Sequence, residues 1–142
     1  LAKKYFIDSI ITFGHYDKTD YSIKKIEKIN NFLSKVTYKT PSKEIKFKTS
    51  TSIQYQIINM LITVMVYNYN NLNVKNFLDK TNNIPFIEGR GLFHNIIIKK
   101  KKAILIDESY NASPVSMNNC IDYFESFEVN KNQRKLIRSW IK

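Results

Sequence analysis

The chain has 142 residues, 43% hydrophobic and 13% aromatic, with only three glycines and three prolines. That composition suits one globular domain or pieces of two, and it excludes a disordered, collagen-like or linker-like chain. One cysteine, Cys120, excludes an internal disulfide framework and a multi-cysteine zinc site and leaves a reducing compartment as the default, while 23 basic against 12 acidic residues give a net charge of +11.

Such a charge makes a nucleic-acid or anionic-membrane partner worth testing, but Lys, Ile and Asn are used heavily all along the chain. A general compositional drift raises the charge without any partner. The start, Leu1-Ala2-Lys3-Lys4, lacks the apolar region of a signal peptide. The most apolar stretch, Ile57 to Tyr67, is broken by Asn59 and Thr63 and is shorter than the roughly 20 residues of a membrane span, so no span is expected. A first residue of Leu rather than Met suggests a fragment or a processed product.

In chain order, residues 7–13 form a β-branched apolar run closed by Gly14, which predicts a buried strand. After a polar turn, Tyr21 to Ile29 alternates imperfectly and predicts a strand with one wet face. Phe32 to Thr40 and Glu44 to Thr49 alternate more clearly, with Pro41-Ser42-Lys43 as the turn between them. The expectation is a small antiparallel sheet with a lysine-rich outer face. From Ser52 the period changes: Ile53, Ile57, Met60, Leu61, Val64 and Met65 recur at three and four residues, a helix with Thr51 or Ser52 as its N-cap. Asn68 to Asn71 ends it, and Asn73 caps a second helix, Val74 to Lys80. Thr81 to Pro85 is a loop, with Ile84 extended before its proline, and a domain boundary is expected there.

Beyond it, Gly91–Ile98 and Ala103–Ile106 predict a hairpin with Lys99 to Lys102 as a solvated turn. Ile104-Leu105-Ile106 does not alternate, as expected of a strand covered on both faces. A polar loop, Asp107 to Pro114, leads to a helix from Val115 to Phe127 capped by Ser113 or Ser116, with Met117, Cys120, Ile121 and Phe124 facing inward. Strand, polar loop and helix make half of a βαβ unit. Lys135-Leu136-Ile137 starts like another strand, which Arg138 and Ser139 spoil.

No stand-alone catalytic set emerges. His15 and His94 lack partners at metal-ligand spacing, Cys120 lies on an apolar helix side as a structural thiol, and there is no phosphate loop of the form GxxxxGK followed by Ser or Thr. The loop after Ile106 stands apart. An acid at the carboxyl end of a buried strand can hold a ribose hydroxyl or support a metal–phosphate, and the helix that follows offers free N–H groups to an anion. An ordinary polar connection that merely caps the helix explains the same residues equally well.

The run from Ile104 to Met117 resembles the hinge motif of the Mur ligases, and within that family the pattern Leu/Ile–Ile/Leu/Val–Asp–Asp/Glu–Ser–Tyr–Asn–Ala–Asn–Pro–x–Ser–Met of the members that add D-alanyl-D-alanine. Ser113, in place of the second Asn, is the one departure. Gly89-Arg90-Gly91 stands where the family has a Gly-Arg, and Ile10 to Gly14 resembles a strand near the end of its ATPase domain. Tyr55 to Leu61 stands where the family shows H-N-x-x-N-x-L, with Asn59 kept and the first two positions changed.

The resemblance covers nearly the whole chain but only the middle of the enzyme. It implies an α/β fold in which residues 1–85, antiparallel strands and two helices, are the end of the central ATPase domain. Residues 86–142 are then the incomplete start of a Rossmann-like carboxyl-terminal domain. The implied activity is ATP-dependent amide ligation in cytoplasmic peptidoglycan precursor synthesis, with UDP-N-acetylmuramoyl-tripeptide and D-alanyl-D-alanine as partners and ATP and Mg²⁺ as cofactors. ATP phosphorylates the tripeptide carboxylate, and the amine of D-alanyl-D-alanine then attacks the acyl phosphate with release of phosphate.

By the same resemblance Arg90 reaches the ATP polyphosphate, Glu108 holds the ribose with Asp107 beside it, and Asn59 lies beside the adenine. Ser109, Tyr110 and Asn111 line the hinge. The family's Mg²⁺ ligands and phosphate loop have no counterpart here, and the family's Leu–Gly–Asp/Glu–Met stretch does not follow Ile137. The expectation is a truncated or frame-shifted product, or one part of a split gene that pairs with a separately encoded amino-terminal piece and is not a competent ligase alone. The rival reading is a basic module for single-stranded nucleic acid, built on the lysine-faced sheet with its Tyr and Phe residues. Lysines spread along the chain and the lack of a recognition motif count against it.

Overall fold

A computed structural model describes residues 10–15, 18–83, 87–110 and 113–129. The chain divides into two compact units, residues 1–84 and 85–142. The first holds a four-stranded sheet in the order β1-β2-β3-β4, made of β1 (Phe13–Gly14), β2 (Tyr21–Asn30), β3 (Leu33–Lys39) and β4 (Glu44–Thr49). The second holds a two-stranded sheet of β5 (Leu92–Ile98) and β6 (Lys101–Asp107), followed by helix α3 (Pro114–Ser126).

In the first unit, β2, β3 and β4 run antiparallel, with Ile26 opposite Val36 and Val36 opposite Phe47. β1 pairs parallel to β2 through Phe13–Tyr21 and Gly14–Ser22, so the sheet is mixed rather than antiparallel throughout. The buried strand expected over residues 7–13 is corrected within the described residues: only Phe13 and Gly14 pair, and Ile10 and Phe13 are 62% and 42% exposed. An exchange of hydrogen bonds holds this stretch instead. Asp20 accepts from the Thr12 backbone N–H at 2.8 Å and from the Thr12 hydroxyl at 2.7 Å, and the Thr12 hydroxyl accepts from the Asp20 N–H at 3.0 Å. These bonds hold the Asp20 carboxyl below the usual carboxylate range.

Helix α1 (Gln54–Tyr69) lays Ile57, Met60, Leu61 and Val64 against Tyr21, Ile23, Val36 and Tyr38 of the sheet. Full burial of one such side chain is worth about 1.5–3 kcal/mol, so this layer is the main source of the unit's stability. The Tyr38 ring is fully buried, packs on Phe47 at 5.0 Å, and donates its hydroxyl to the Ile57 carbonyl. The helix starts from Ile53 with no side-chain cap, which corrects the expectation for Thr51 and Ser52. Both hydroxyls are committed elsewhere: Thr51 to the Gln56 side chain and the Ile53 N–H, Ser52 to the Asn30 carbonyl.

At its other end Asn71 takes a left-handed φ of 53°. The Leu72 N–H reaches the Tyr67 carbonyl at 2.8 Å and the Asn71 N–H reaches Asn68 at 3.1 Å. This is the two-bond stop that satisfies the last carbonyls of a helix, with Asn in the place glycine usually takes. Asn73 caps α2 (Val74–Leu78) by accepting from the Lys75 N–H at 3.0 Å. Thr81, fully buried in a 3₁₀ turn (Thr81–Asn83), donates its hydroxyl to the carbonyls of Lys48 and Leu78, and its own carbonyl accepts from the Ser50 N–H and the Thr49 hydroxyl.

In the second unit the turn of the hairpin is shorter than expected. Lys101 and Lys102 belong to β6, and only Lys99 and Lys100 turn the chain, at φ of 48° and 65°. Positive φ at both central residues matches the right-handed twist of the flanking strands, which is why the pairing continues to Ile98–Lys101 even though neither turn residue is Gly or Asn. Ile104 and Leu105 are 44% and 49% exposed, which corrects the expectation of a strand covered on both faces. Adjacent strand residues point to opposite faces, so neither face is covered at this point, and α3 packs on one face only, nearer the Asp107 end.

That face carries Phe93, whose ring lies 6.3 Å from Tyr123 and 6.1 Å from Phe127 of the α3 segment. Tyr123 and Phe127 are the buried residues there, where Met117, Cys120, Ile121 and Phe124 were expected and are half-buried. Ser113 is the N-cap of α3, its hydroxyl accepting from the Ser116 N–H at 3.2 Å with Pro114 in the first turn. The expectations for Ile84, Asn111 and Lys135 to Ile137 lie outside the described residues.

Candidate functional site

The end of β6 and the segment before β5 are tied together by one carboxylate. Asp107 Oδ2 accepts from the Gly89 N–H at 3.1 Å, Oδ1 accepts from the Ser109 N–H at 3.1 Å, and the Asp107 carbonyl accepts from the Gly91 N–H at 2.8 Å. A return bond from the Tyr110 N–H to the Gly89 carbonyl, 3.1 Å, closes the clasp. The Ser109 side-chain hydrogen bond, ahead of the backbone N–H groups and a weak attraction from His94, holds the Asp107 carboxyl below its usual range against a small desolvation effect.

Gly89 has to be glycine at this point. Its φ is +73°, and a β-carbon there would stand 2.9 Å from the Tyr110 nitrogen and 3.0 Å from the Tyr110 Cβ. The close approach brings Arg90 over Tyr110, with the guanidinium carbon 4.2 Å from the ring centre. Glu108 is half-buried beside them, and its charge, after burial, helps push up both the Cys120 thiol and the Tyr123 phenol. A raised thiol pKa lowers the thiolate fraction, in keeping with a structural rather than nucleophilic Cys120.

Four of the residues singled out in the sequence therefore gather in one place: Arg90, Asp107, Ser109 and Tyr110, with Glu108 next in line. Asn111 lies outside the described residues. Asn59 is in the other unit, exposed on α1, where its carbonyl accepts from the Thr63 hydroxyl at 3.1 Å. The clasp role of Asp107 and the requirement at Gly89 were not anticipated; a Gly-Arg-Gly in a chain with three glycines was the available signal.

Chemically, the cluster offers a guanidinium suited to phosphate oxygens and a carboxylate able to accept from sugar hydroxyls. That donor set fits a nucleotide. It does not fit a divalent cation: among the described residues no group of three or more His, Cys, Asp or Glu that could hold a metal ion is assembled. His15 meets the Gln54 amide at 3.4 Å. Among the described residues no helix is long and apolar enough to cross a membrane.

Neither a protein-family model nor a curated protein matches this sequence. Solved structures do match in fold. Over 84% of the chain it is similar to MurF from Acinetobacter baumannii, at 18% identity and a TM-score of 0.69. Over 83% it is similar to MurF ligase from Thermotoga maritima in complex with ADP, at 18% identity and 0.67. UDP-N-acetylmuramate-alanine ligase MurC from Thermotoga maritima follows, at 15% identity and 0.66 over 80%. The chain spans 25–26% of the length of these proteins. Its described residues thus form an α/β chain, with a mixed four-stranded sheet, a two-stranded sheet and three α-helices, that resembles part of a Mur ligase in fold.

Proposed function

We propose that this chain is part of an ATP-dependent Mur-type amide ligase, of the kind that joins D-alanyl-D-alanine to UDP-N-acetylmuramoyl-tripeptide in cytoplasmic cell-wall precursor synthesis. Residues up to about 85 would close the central ATPase domain, and those from about 86 would open the Rossmann-like carboxyl-terminal domain. The observation that carries this is the clasp: the motif from Ile104 to Met117 ends a strand, and its first acid ties Gly89-Arg90-Gly91 to Ser109 and Tyr110.

Each side chain then has a definite task. The Glu108 carboxylate accepts from ribose hydroxyls. The Arg90 guanidinium, on its short glycine-flanked turn, pairs with polyphosphate oxygens and offsets their charge. Asp107 fixes both loops; by the family resemblance Ser109, Tyr110 and Asn111 would belong to the hinge, and Asn59 would contact the adenine. ATP supplies the phosphoryl group that activates the acceptor carboxylate; the chain's residues hold and neutralise it. The Mg²⁺ ligands and the phosphate loop would come from protein outside these 142 residues, and losing a transition-state-stabilising element of that sort typically costs about 10²-fold or more in rate.

Two measurements test this. The chain alone, with both substrates and ATP, is expected to release no ADP that depends on D-alanyl-D-alanine. With an amino-terminal Mur ligase piece carrying a phosphate loop, ATP is expected to slow amide exchange over residues 87–110. Unchanged exchange there would remove the nucleotide-site assignment, and ADP release by the chain alone would remove the division of labour.

A further inference from the structure

β4 is the last strand of the first sheet, and among the described residues no strand pairs with its outer edge. The direction of its backbone groups follows from the hairpin turn. The Thr40 N–H bonds to the Lys43 carbonyl at 3.0 Å, and bonded and non-bonded pairs alternate from there along the antiparallel ladder. Ile45, Phe47 and Thr49 therefore aim their N–H and C=O groups at β3, while Glu44, Lys46 and Lys48 aim theirs away from the sheet. Thr81 bears this out at one end. Its hydroxyl donates to the outward Lys48 carbonyl at 3.0 Å, and its carbonyl accepts from the Ser50 N–H at 3.4 Å. One residue thus already uses the edge as a strand would. Next to it, residues 43–48 form one wall of a groove of about 780 Å³, within the range of ordinary ligand sites, whose other wall is α2 and the α1–α2 connection.

The two faces of β4 differ, and a strand laid in the groove would meet both. Lys46 and Lys48 are exposed on the outer face, whereas Ile45 and Phe47 belong to the core face, where the Phe47 ring packs on Tyr38. On the core side the groove is lined by Leu72, Val74 and Leu78. Leu72 is 53% exposed, and Val74 and Leu78 are half-buried beside the core. On the outer side Lys35 stands opposite Lys48, and Glu27, which faces Lys35, lies one strand further in. Glu44 is ion-paired with Lys24, and on the far wall Lys75 is offset by Asp79. Lys46 and Lys48 therefore set the charge beside the edge. Lysine on an edge strand discourages basic and neutral strands from pairing there and favours an acidic one.

We propose that this edge takes up, as a fifth strand, an extended polypeptide segment of alternating acidic and apolar residues. Its backbone bonds the outward groups of Glu44, Lys46 and Lys48, its acids stand opposite the two lysines, and its apolar side chains fall on Leu72, Val74 and Leu78. Side chains of a strand alternate between faces, so one alternating sequence satisfies both sides of the groove at once. The site lies within the first unit and does not depend on the ligase assignment.

The test is fluorescence anisotropy of a labelled peptide of alternating Glu and Val with the full chain. Each opposite-charge cross-strand pair is worth up to about fivefold, so a peptide of alternating Lys and Val should bind at least about tenfold more weakly. Charge reversal by Lys46→Glu with Lys48→Glu should invert that preference, while Lys99→Glu with Lys100→Glu should change affinity by about threefold or less. Leu72→Asn should weaken the Glu–Val peptide and leave its preference over the Lys–Val peptide intact. Of the two alternating sets of peptide N–H groups, methylation of one should abolish binding, because it faces β4, and methylation of the other should change it by about threefold or less. Amide exchange should slow at Lys46 and Lys48 on binding and stay unchanged at Ile45 and Phe47, which β3 already holds. Thermal midpoints of all variants confirm folding. Equal effects of the two methylated sets would overturn strand addition, and equal losses from the two charge reversals would overturn the site. A dimer in sedimentation that the peptide does not dissociate would overturn the acidic segment in favour of a second copy of the chain.

Discussion

The guanidinium carbon of Arg90 sits 4.2 Å from the centre of the Tyr110 ring, so a cation on one loop is covered by an aromatic face on another. Tyr110 is 66% exposed, and a cation–π contact at such a site is worth about 0.5–1 kcal/mol. Tyr110→Leu should therefore lower stability by no more than about 1 kcal/mol in urea unfolding, and Tyr110→Trp should leave it unchanged. A larger loss for Leu would mean that the ring supports the clasp itself.

Gly89→Ala meets the backbone of the opposing loop, not the end of a flexible side chain, and must also hold a positive φ. It should destabilise the second unit by about 1–3 kcal/mol, read as a lower urea midpoint. A neutral result would show that the two loops part at no cost.

Asp107 gives the second unit an acid-sensitive joint. Its folded pKa lies below that of a free aspartate, so the stabilisation it contributes is complete above the free value and is lost as pH falls through the lower folded one. Unfolding midpoints measured from pH 5 down to pH 2 should drop in the unaltered chain. With Asp107→Asn the midpoint should start lower, and that part of the drop should disappear.

The hairpin turn places two lysines in the left-handed region, where L-residues pay roughly 1–2 kcal/mol each relative to the right-handed one. Replacing Lys99 by Asn and Lys100 by Gly should stabilise the second unit by about 1–2 kcal/mol by thermal unfolding. No gain would indicate that the turn relaxes in solution.

In the first unit, Leu61→Ala should cost about 2–5 kcal/mol, since the side chain is fully buried between α1 and the sheet. Tyr38→Phe should cost only about 0.5–1.5 kcal/mol, because the ring stays and one hydrogen bond to Ile57 goes. The two losses compared by denaturant titration separate packing from polar bonding at that interface.

These elements also show what could be read from residue order. β3 and β4 were legible because one wet face imposes strict alternation, so Ile45 and Phe47 stand against Lys46 and Lys48. The helical face of α1 and the Asn73 and Ser113 caps were legible for the same reason: the signal is local. The extent of β6 was hidden, because four successive lysines read as solvent-facing chain and the turn lacks the residues that usually announce positive φ. The start of α1 was misjudged because neither hydroxyl accepts from a first-turn N–H of the helix: Thr51 bonds the Gln56 side chain and the Ile53 N–H, and Ser52 bonds Asn30 far back in the chain. Tyr123 and Phe127 escaped notice as core because Phe93, which they meet, comes from another element. In the candidate site the motif flagged Asp107 to Asn111 and the glycines around Arg90. That Asp107 faces backbone N–H groups of both its own loop and Gly89 is a long-range fact that no spacing rule carries.

The Thr81 side chain and backbone stitch the last strand of the first sheet to the stretch before the junction. Anyone dissecting this polypeptide into halves inherits a constraint from that knot. A leading half trimmed before Thr81 would leave the Lys48 carbonyl and the Ser50 amide stranded and let the sheet margin fray, so a self-sufficient leading half must carry Thr81 and its 3₁₀ turn with it.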